Sequence, residues 1–180
     1  MGGCTLERHW NEGKALAKML KGRWDVVVLQ ENGQGPLAYP DSMRKYARMF
    51  DDKIGKARAK TVLFMTAAYQ DRPETTKTIA KAHLEIGKEL NAVVAPVGLA
   101  FEKSLQERPD LVLHKLPDTV HANQRGTYLT ASVFWMTLTG KKLRGLSHGG
   151  LTGLSDEETV FLQEIAWKTV VECKELQYNH

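Results

Sequence analysis

Cysteine is scarce: Cys4 and Cys173 stand alone, near opposite ends of the chain. Two cysteines make no disulfide framework, and sequence does not say whether they pair. No Cys/His set has the spacing of a structural zinc site. Long apolar runs are missing too. None approaches the ~18 residues that mark a membrane span, so no membrane partner is expected. Repeats, low-complexity tracts and linkers are absent, which leaves a single domain over residues 1–180. No signal peptide is visible. The Gly-rich stretch 145–153 lacks the Lys-Ser/Thr pair of a phosphate loop. Met1-Gly2-Gly3-Cys4 looks like a lipidation start, but Leu6 stands where N-myristoylation needs Ser or Thr.

What is present is ordinary globular material. Of 180 residues, 42% are apolar and 26% charged, enough to build a core and too apolar for a disordered chain. The net charge is +4, but the cations are scattered. Lys14, Lys18, Lys21 and Arg23 lie in one stretch, Lys53, Lys56, Arg58 and Lys60 in another. They read as solvated helix faces. No basic run is interleaved with stacking aromatics, so no nucleic-acid partner is expected.

The apolar pattern alternates between helix and strand. Residues 6–20 read as one amphipathic helix. Residues 24–30 (WDVVVLQ) are a short β-branched run, suited to a strand buried on both faces. Residues 33–36 (GQGP) punctuate a loop. A helix capped by Asp41 follows to about residue 59, then a second strand over 61–67. Pro73 opens a helix to residue 90. Residues 92–96 make a third strand and 99–107 a short helix. After a polar loop, 116–121, an apolar helix runs to Thr139 and stops at Gly140. Its Leu129, Val133 and Met136 share a face that Phe134, Trp135 and Leu138 widen. Ser155 and Glu158 form a capping box for the last helix, whose Leu162, Ala166, Val170 and Cys173 recur at helical spacing. Such alternation predicts a three-layer α/β/α sandwich on a flavodoxin-like parallel sheet. Ligands then bind beyond the carboxyl ends of the strands.

Candidate chemistry sits there. Asp118 and His121 form Asp-x-x-His, in which the carboxylate can hold Nδ1–H and free Nε2 to act as a base. Asn32 comes just after the first strand, where a side-chain amide can donate to an oxyanion, or simply turn the chain before Gly33. Gly2 and Gly3 precede the first helix and allow close backbone approach. Other residues have plainer readings. His9 packs in the first helix, and His83 is a surface residue of a later one. His114 and His148 are loop residues, and His148 could border the cleft. Tyr69 and Gln70 follow the second strand and could line a cleft.

In combination these blocks resemble the SGNH (GDSL-like) hydrolase family, in its less typical branch. The likeness runs through residues 2–10 (GGCTLERHW), 24–36 (WDVVVLQENGQGP) and 118–129 (DTVHANQRGTYL). It implies hydrolysis of an ester, such as an acetyl group on a carbohydrate, through a serine acyl-enzyme, with no metal or organic cofactor. It casts His121 as general base, Asp118 as its orienting partner, and Gly3 and Asn32 as oxyanion donors. The family's Gly-Asp-Ser or Gly-Asn-Ser block, which carries the nucleophile, is missing here. Gln30 and Gly33 stand where the third block has its glycine and trailing aspartate.

Ser42, after Pro40-Asp41, echoes the missing block but comes in the wrong order and opens a helix. Cys4 is a small residue beside Gly3. The chain therefore reads as an N-terminally truncated member, inactive as given. A signal peptide could precede it, which leaves the compartment of a soluble protein open. A non-catalytic descendant that binds a carbohydrate or a protein is the rival reading. Either way the strand at 24–30 becomes an apolar edge, and self-association through it is expected.

Overall fold

The computed structural model describes residues 3–143 and 153–178. Strands β1 (Val26–Leu29), β2 (Lys60–Phe64) and β3 (Val93–Ala95) form one small parallel sheet in the order β1-β2-β3. In the β1–β2 ladder Val26 pairs with Lys60 and Leu29 with Leu63. Parallel neighbours need a crossover. Helices α3 (Gly35–Ala38) and α4 (Pro40–Lys56) make the first, and α5 (Thr76–Leu90) lies in the second. The fold is thus α/β on a parallel sheet. Each strand is shorter than its apolar run. Among the described residues β1 has a strand neighbour on one side only. Among the described residues no helix is long and apolar enough to cross a membrane.

The chain divides into two compact units, residues 1–66 with 77–94, and residues 67–76 with 95–180. In the first, α1 (Leu6–Glu12) packs on α4, where Trp10 meets Phe50 edge to face at 5.1 Å. Met43, Phe50 and Ile54 of α4 are buried, as are Val62 and Leu63 of β2. In the second, α6 (Val97–Glu107), α7 (Gln124–Thr139) and α8 (Asp156–Tyr178) pack on one another. Leu129, Val133 and Met136 are fully buried on α7, and Leu162, Ile165 and Ala166 on α8. Helical spacing gathers each set on one face. At the start of α8 the capping box closes reciprocally. The Ser155 N–H donates to Glu158 Oε2 at 2.8 Å, and the Glu158 N–H to Ser155 Oγ at 3.1 Å.

Several local readings need correction. The helix expected over 6–20 breaks at Gly13, whose φ of 69° is left-handed and whose N–H caps Trp10 O. A second helix, α2 (Lys14–Lys21), starts from the same residue. The apolar period runs on through such a break, because glycine reverses the backbone without disturbing the pattern. Pro36 stands in the first turn of α3, inside what reads as a loop, and Pro73 opens a 3₁₀ turn ahead of α5. Trp135 and Leu138 are 48% and 50% exposed. The buried stripe of α7 is therefore narrower than its composition suggests.

His83 is the sharpest departure. It is not a surface residue but fully buried in α5, with Nδ1 2.8 Å from Ile79 O. Burial favours the neutral ring and pushes its pKa down to about 4, against hydrogen bonds to the Ile79 and Phe64 main chain. In the unfolded chain the ring regains its ordinary 6.5. Between these values the unfolded chain takes up a proton that the folded chain refuses. Stability is therefore complete above pH 6.5 and falls towards pH 4, by about 3 kcal/mol in all. Urea titrations across this window should show that slope in the native protein and lose most of it in His83→Met. An equal slope in the variant would place the acid sensitivity elsewhere.

Candidate active site

The loop that carries Asp118 and His121 lies within the second unit and is tied by its own backbone. His114 and Ala122 form an isolated antiparallel bridge, and the Lys115 N–H donates to His121 O at 2.7 Å. Thr119 turns the chain with a left-handed φ of 56°, and its carbonyl accepts the Gln70 N–H. Asn123 fastens the base of the loop. Its Nδ2 donates to Val112 O and His114 O, while its Oδ1 accepts the Gly126 N–H and caps α7. A Cβ at Gly126 would lie 2.3 Å from Leu113 O. The glycine is what lets α7 start against this strand-like segment.

Asp118 organises the turn itself. Its Oδ1 accepts the N–H groups of Val120 and His121, each at 2.8 Å. Its Oδ2 lies 2.9 Å from His121 Nδ1. These bonds, led by the main-chain N–H of His121 and then that of Val120, lower the Asp118 pKa to about 2. An ionised carboxylate only accepts, so the shared proton sits on Nδ1. Nε2 is left with its lone pair on a side chain that is 77% exposed. Among the described residues of this unit no hydroxyl or thiol is hydrogen-bonded to it.

Gly3 and Asn32 meet in the first unit. Asn32 Nδ2 donates to Gly3 O at 3.4 Å. Its Oδ1 accepts the N–H groups of Gln34 and Gly35 at 3.0 and 2.9 Å. The side chain is therefore a turn asparagine as well as a neighbour of the glycine. Gly3 has a φ of 64°. Next to Asn32 is Glu31, which follows the stretch 24–30 read as a strand. It is 4% exposed; Oε1 accepts the Asn32 N–H and Oε2 the Leu6 N–H, at 2.8 and 3.2 Å. One carboxylate thus joins the start of α1 to the turn after β1. Burial pushes its pKa up, against those two hydrogen bonds. A Cβ at Gly35 would lie 2.1 Å from Glu31 Cγ, so the glycine makes room for it. The available signal was an acid two residues after four apolar strand residues and shortly before two glycines.

The other candidates have partners or surroundings of their own. Ser42 donates to Glu7 from α4, and Cys4 is a buried free thiol, like Cys173. His114 is buried rather than loose. Its Nε2 donates to Ala68 O, and Nδ1 has no partner; burial holds the ring below the usual histidine range. Gln70 Oε1 is buried without a partner, and Tyr69 stacks under Arg72. His148 and residues 145–152 lie outside the described residues, as does Gly2. Among the described residues no group of three acidic, His or Cys side chains could hold a metal ion.

No family model and no curated protein matches the chain. Two solved structures resemble it. A DUF4886 family protein from Bacteroides uniformis superposes with a TM-score of 0.72 at 14% identity, covering 95% of this chain and 81% of its own. A Slackia heliotrinireducens protein, described as "a putative SGNH hydrolase", gives 0.65 at 24% identity, covering 76% and 80%. At such identities the likeness is one of fold.

Two outcomes follow from this geometry. In Asp118→Asn, an amide N–H faces Nδ1, so the neutral His121 proton should move to Nε2. Imidazole ¹⁵N shifts near neutral pH should report Nδ1–H in the native protein and Nε2–H in the variant. In Glu31→Gln only one oxygen remains for two buried N–H donors. Denaturant unfolding should show a loss of about 1–3 kcal/mol, and native stability in that variant would remove Glu31 from its joining role.

Proposed function

We propose that this chain is a divergent SGNH-type serine ester hydrolase domain that lacks its own nucleophile. The Asp118–His121 geometry carries the reading: the carboxylate holds Nδ1–H and leaves Nε2 free to take a proton. Two further observations support it, the pairing of Asn32 with Gly3 and the fold shared with the Slackia protein. In the proposed reaction His121 Nε2 takes the proton of a serine hydroxyl supplied by the Gly-Asp-Ser or Gly-Asn-Ser block. Asp118 orients and stabilises the imidazolium. The Gly3 N–H and the Asn32 amide then stabilise the oxyanion, which requires the amide to leave Gly3 O. The leaving alcohol recovers the proton from His121, and water attacks the acyl-enzyme by the same route. The substrate class is a small-molecule or carbohydrate ester, an acetylated sugar among them.

A second reading keeps the fold and drops the turnover. The free Nε2 of His121 favours it, since among the described residues of its unit no hydroxyl or thiol is hydrogen-bonded to it. In that case the domain binds an acetylated carbohydrate or a protein without cleaving it.

The chain by itself should neither hydrolyse p-nitrophenyl acetate saturably nor take up a fluorophosphonate label. Joined to a segment carrying the nucleophile block, it should do both. His121→Ala should then remove nearly all turnover, and Asn32→Ala should lower kcat by about 10²–10³-fold. A folded fusion with no activity that still retains acetylated xylo-oligosaccharides would favour the binding reading. Hydrolysis by the unfused chain, abolished in His121→Ala, would point to Cys4 as nucleophile.

A further inference from the structure

His114 stands at the base of the loop that carries Asp118 and His121, and is only 3% exposed. Its main chain bridges to Ala122, and its carbonyl accepts Asn123 Nδ2. Its ring lies edge to face with Phe101 of α6, centroids 5.4 Å apart. Nε2 is 3.0 Å from Ala68 O. A carbonyl oxygen only accepts, so Nε2 carries the proton and Nδ1 the lone pair. That lone pair is buried and has no partner among the described residues. The ring thus ties the loop to the segment 67–76, in the same unit, in one protonation state alone. A second proton would create a buried N–H without an acceptor. Charged groups stand on every surrounding element: Asp71 and Arg72 after β2, Glu102 on α6, Lys115 and Asp118 in the loop, Arg125 on α7. Of these, Asp118 alone acts on the ring, and its oxygens are already taken by Val120 and His121.

We infer that His114 is a positioning residue for His121 that works only as the neutral imidazole: it latches the loop to Ala68, and a proton on Nδ1 releases the latch. Burial opposes that proton and outweighs both the Ala68 bond and the Asp118 charge. The open loop returns the ring to its ordinary 6.5, so the latch is complete above that pH and weakens as the pH falls below it. The inference deepens the reading of Asp118 and His121 as orienter and base. Its readout is backbone opening, so it fails or holds separately from turnover.

Native-state hydrogen exchange of the whole chain tests it on three amides of the latched region. They are Gln70 N–H on Thr119 O, Lys115 N–H on His121 O and Asn123 N–H on Leu113 O. Corrected for intrinsic rates, their protection should fall about three- to tenfold between roughly pH 7.5 and roughly pH 5.5. His114→Gln, whose amide can still donate to Ala68 O without titrating, should keep the loop protected and remove the fall. His114→Phe donates nothing, and should lower protection at every pH without a slope. In His83→Met, which lacks the other buried imidazole, the fall should persist. Ring ¹⁵N shifts should report Nε2–H at His114 near neutral pH. Protection independent of pH in the native chain, or Nδ1–H at His114, would overturn the inference. So would an equal fall in His114→Gln, which would assign the slope to His121 or another group. A fall that vanishes in His83→Met would overturn it as well, because acid would then act through α5.

Discussion

A carboxylate that accepts two main-chain N–H groups fixes the backbone wherever the candidate site has a functional side chain. Glu31 does this in the first unit for Leu6 and Asn32. Asp118 does it in the second for Val120 and His121. Turns leave such donors unsatisfied by any helix or ladder, and a buried orphan N–H costs about 1–3 kcal/mol. An acid at the right position removes that cost and at the same time fixes the turn. The two environments push the acids in opposite directions. Burial raises the pKa of Glu31, whereas hydrogen bonds in an exposed loop lower that of Asp118. Glu31 belongs to the framework, while Asp118 keeps an oxygen for the imidazole.

The supporting residues follow the same logic. Asn123 serves the loop with its amide and the helix with its carbonyl oxygen. Gly126 and Gly35 matter for what they leave out: a Cβ at either would strike Leu113 O or the Glu31 side chain. His114 closes the base of the loop as half of the bridge to Ala122 and by its bond to Ala68 O. Asn123, Gly126 and His114 need touch no substrate to decide where His121 stands, nor Gly35 to decide where Glu31 stands.

The strands and long helices were legible because apolar runs and helical spacing are dense signals. β1 and β3 lie inside the stretches read as strands, β2 begins one residue ahead of its own, and the stop at Gly140 and the Ser155–Glu158 box are visible in the structure. Asp118 and His121 could be named from their spacing, since three residues in a turn bring a carboxylate within reach of an imidazole. Features that depend on one backbone angle or on long-range burial were not legible. The break at Gly13 is invisible to periodicity. The burial of His83 depends on what α5 packs against, and polarity alone argued for the surface. Glu31 was hidden by its position, because an acid at a strand end reads as a solvent-facing terminus until its two donors are seen.

The acidity of Asp118 sets the proton inventory of its loop. With a pKa held to about 2 by three hydrogen bonds, the carboxylate stays charged at every pH where the fold is expected to persist. The turn therefore carries a fixed negative charge, and the three donors that meet it are held by an anion rather than by a neutral acid.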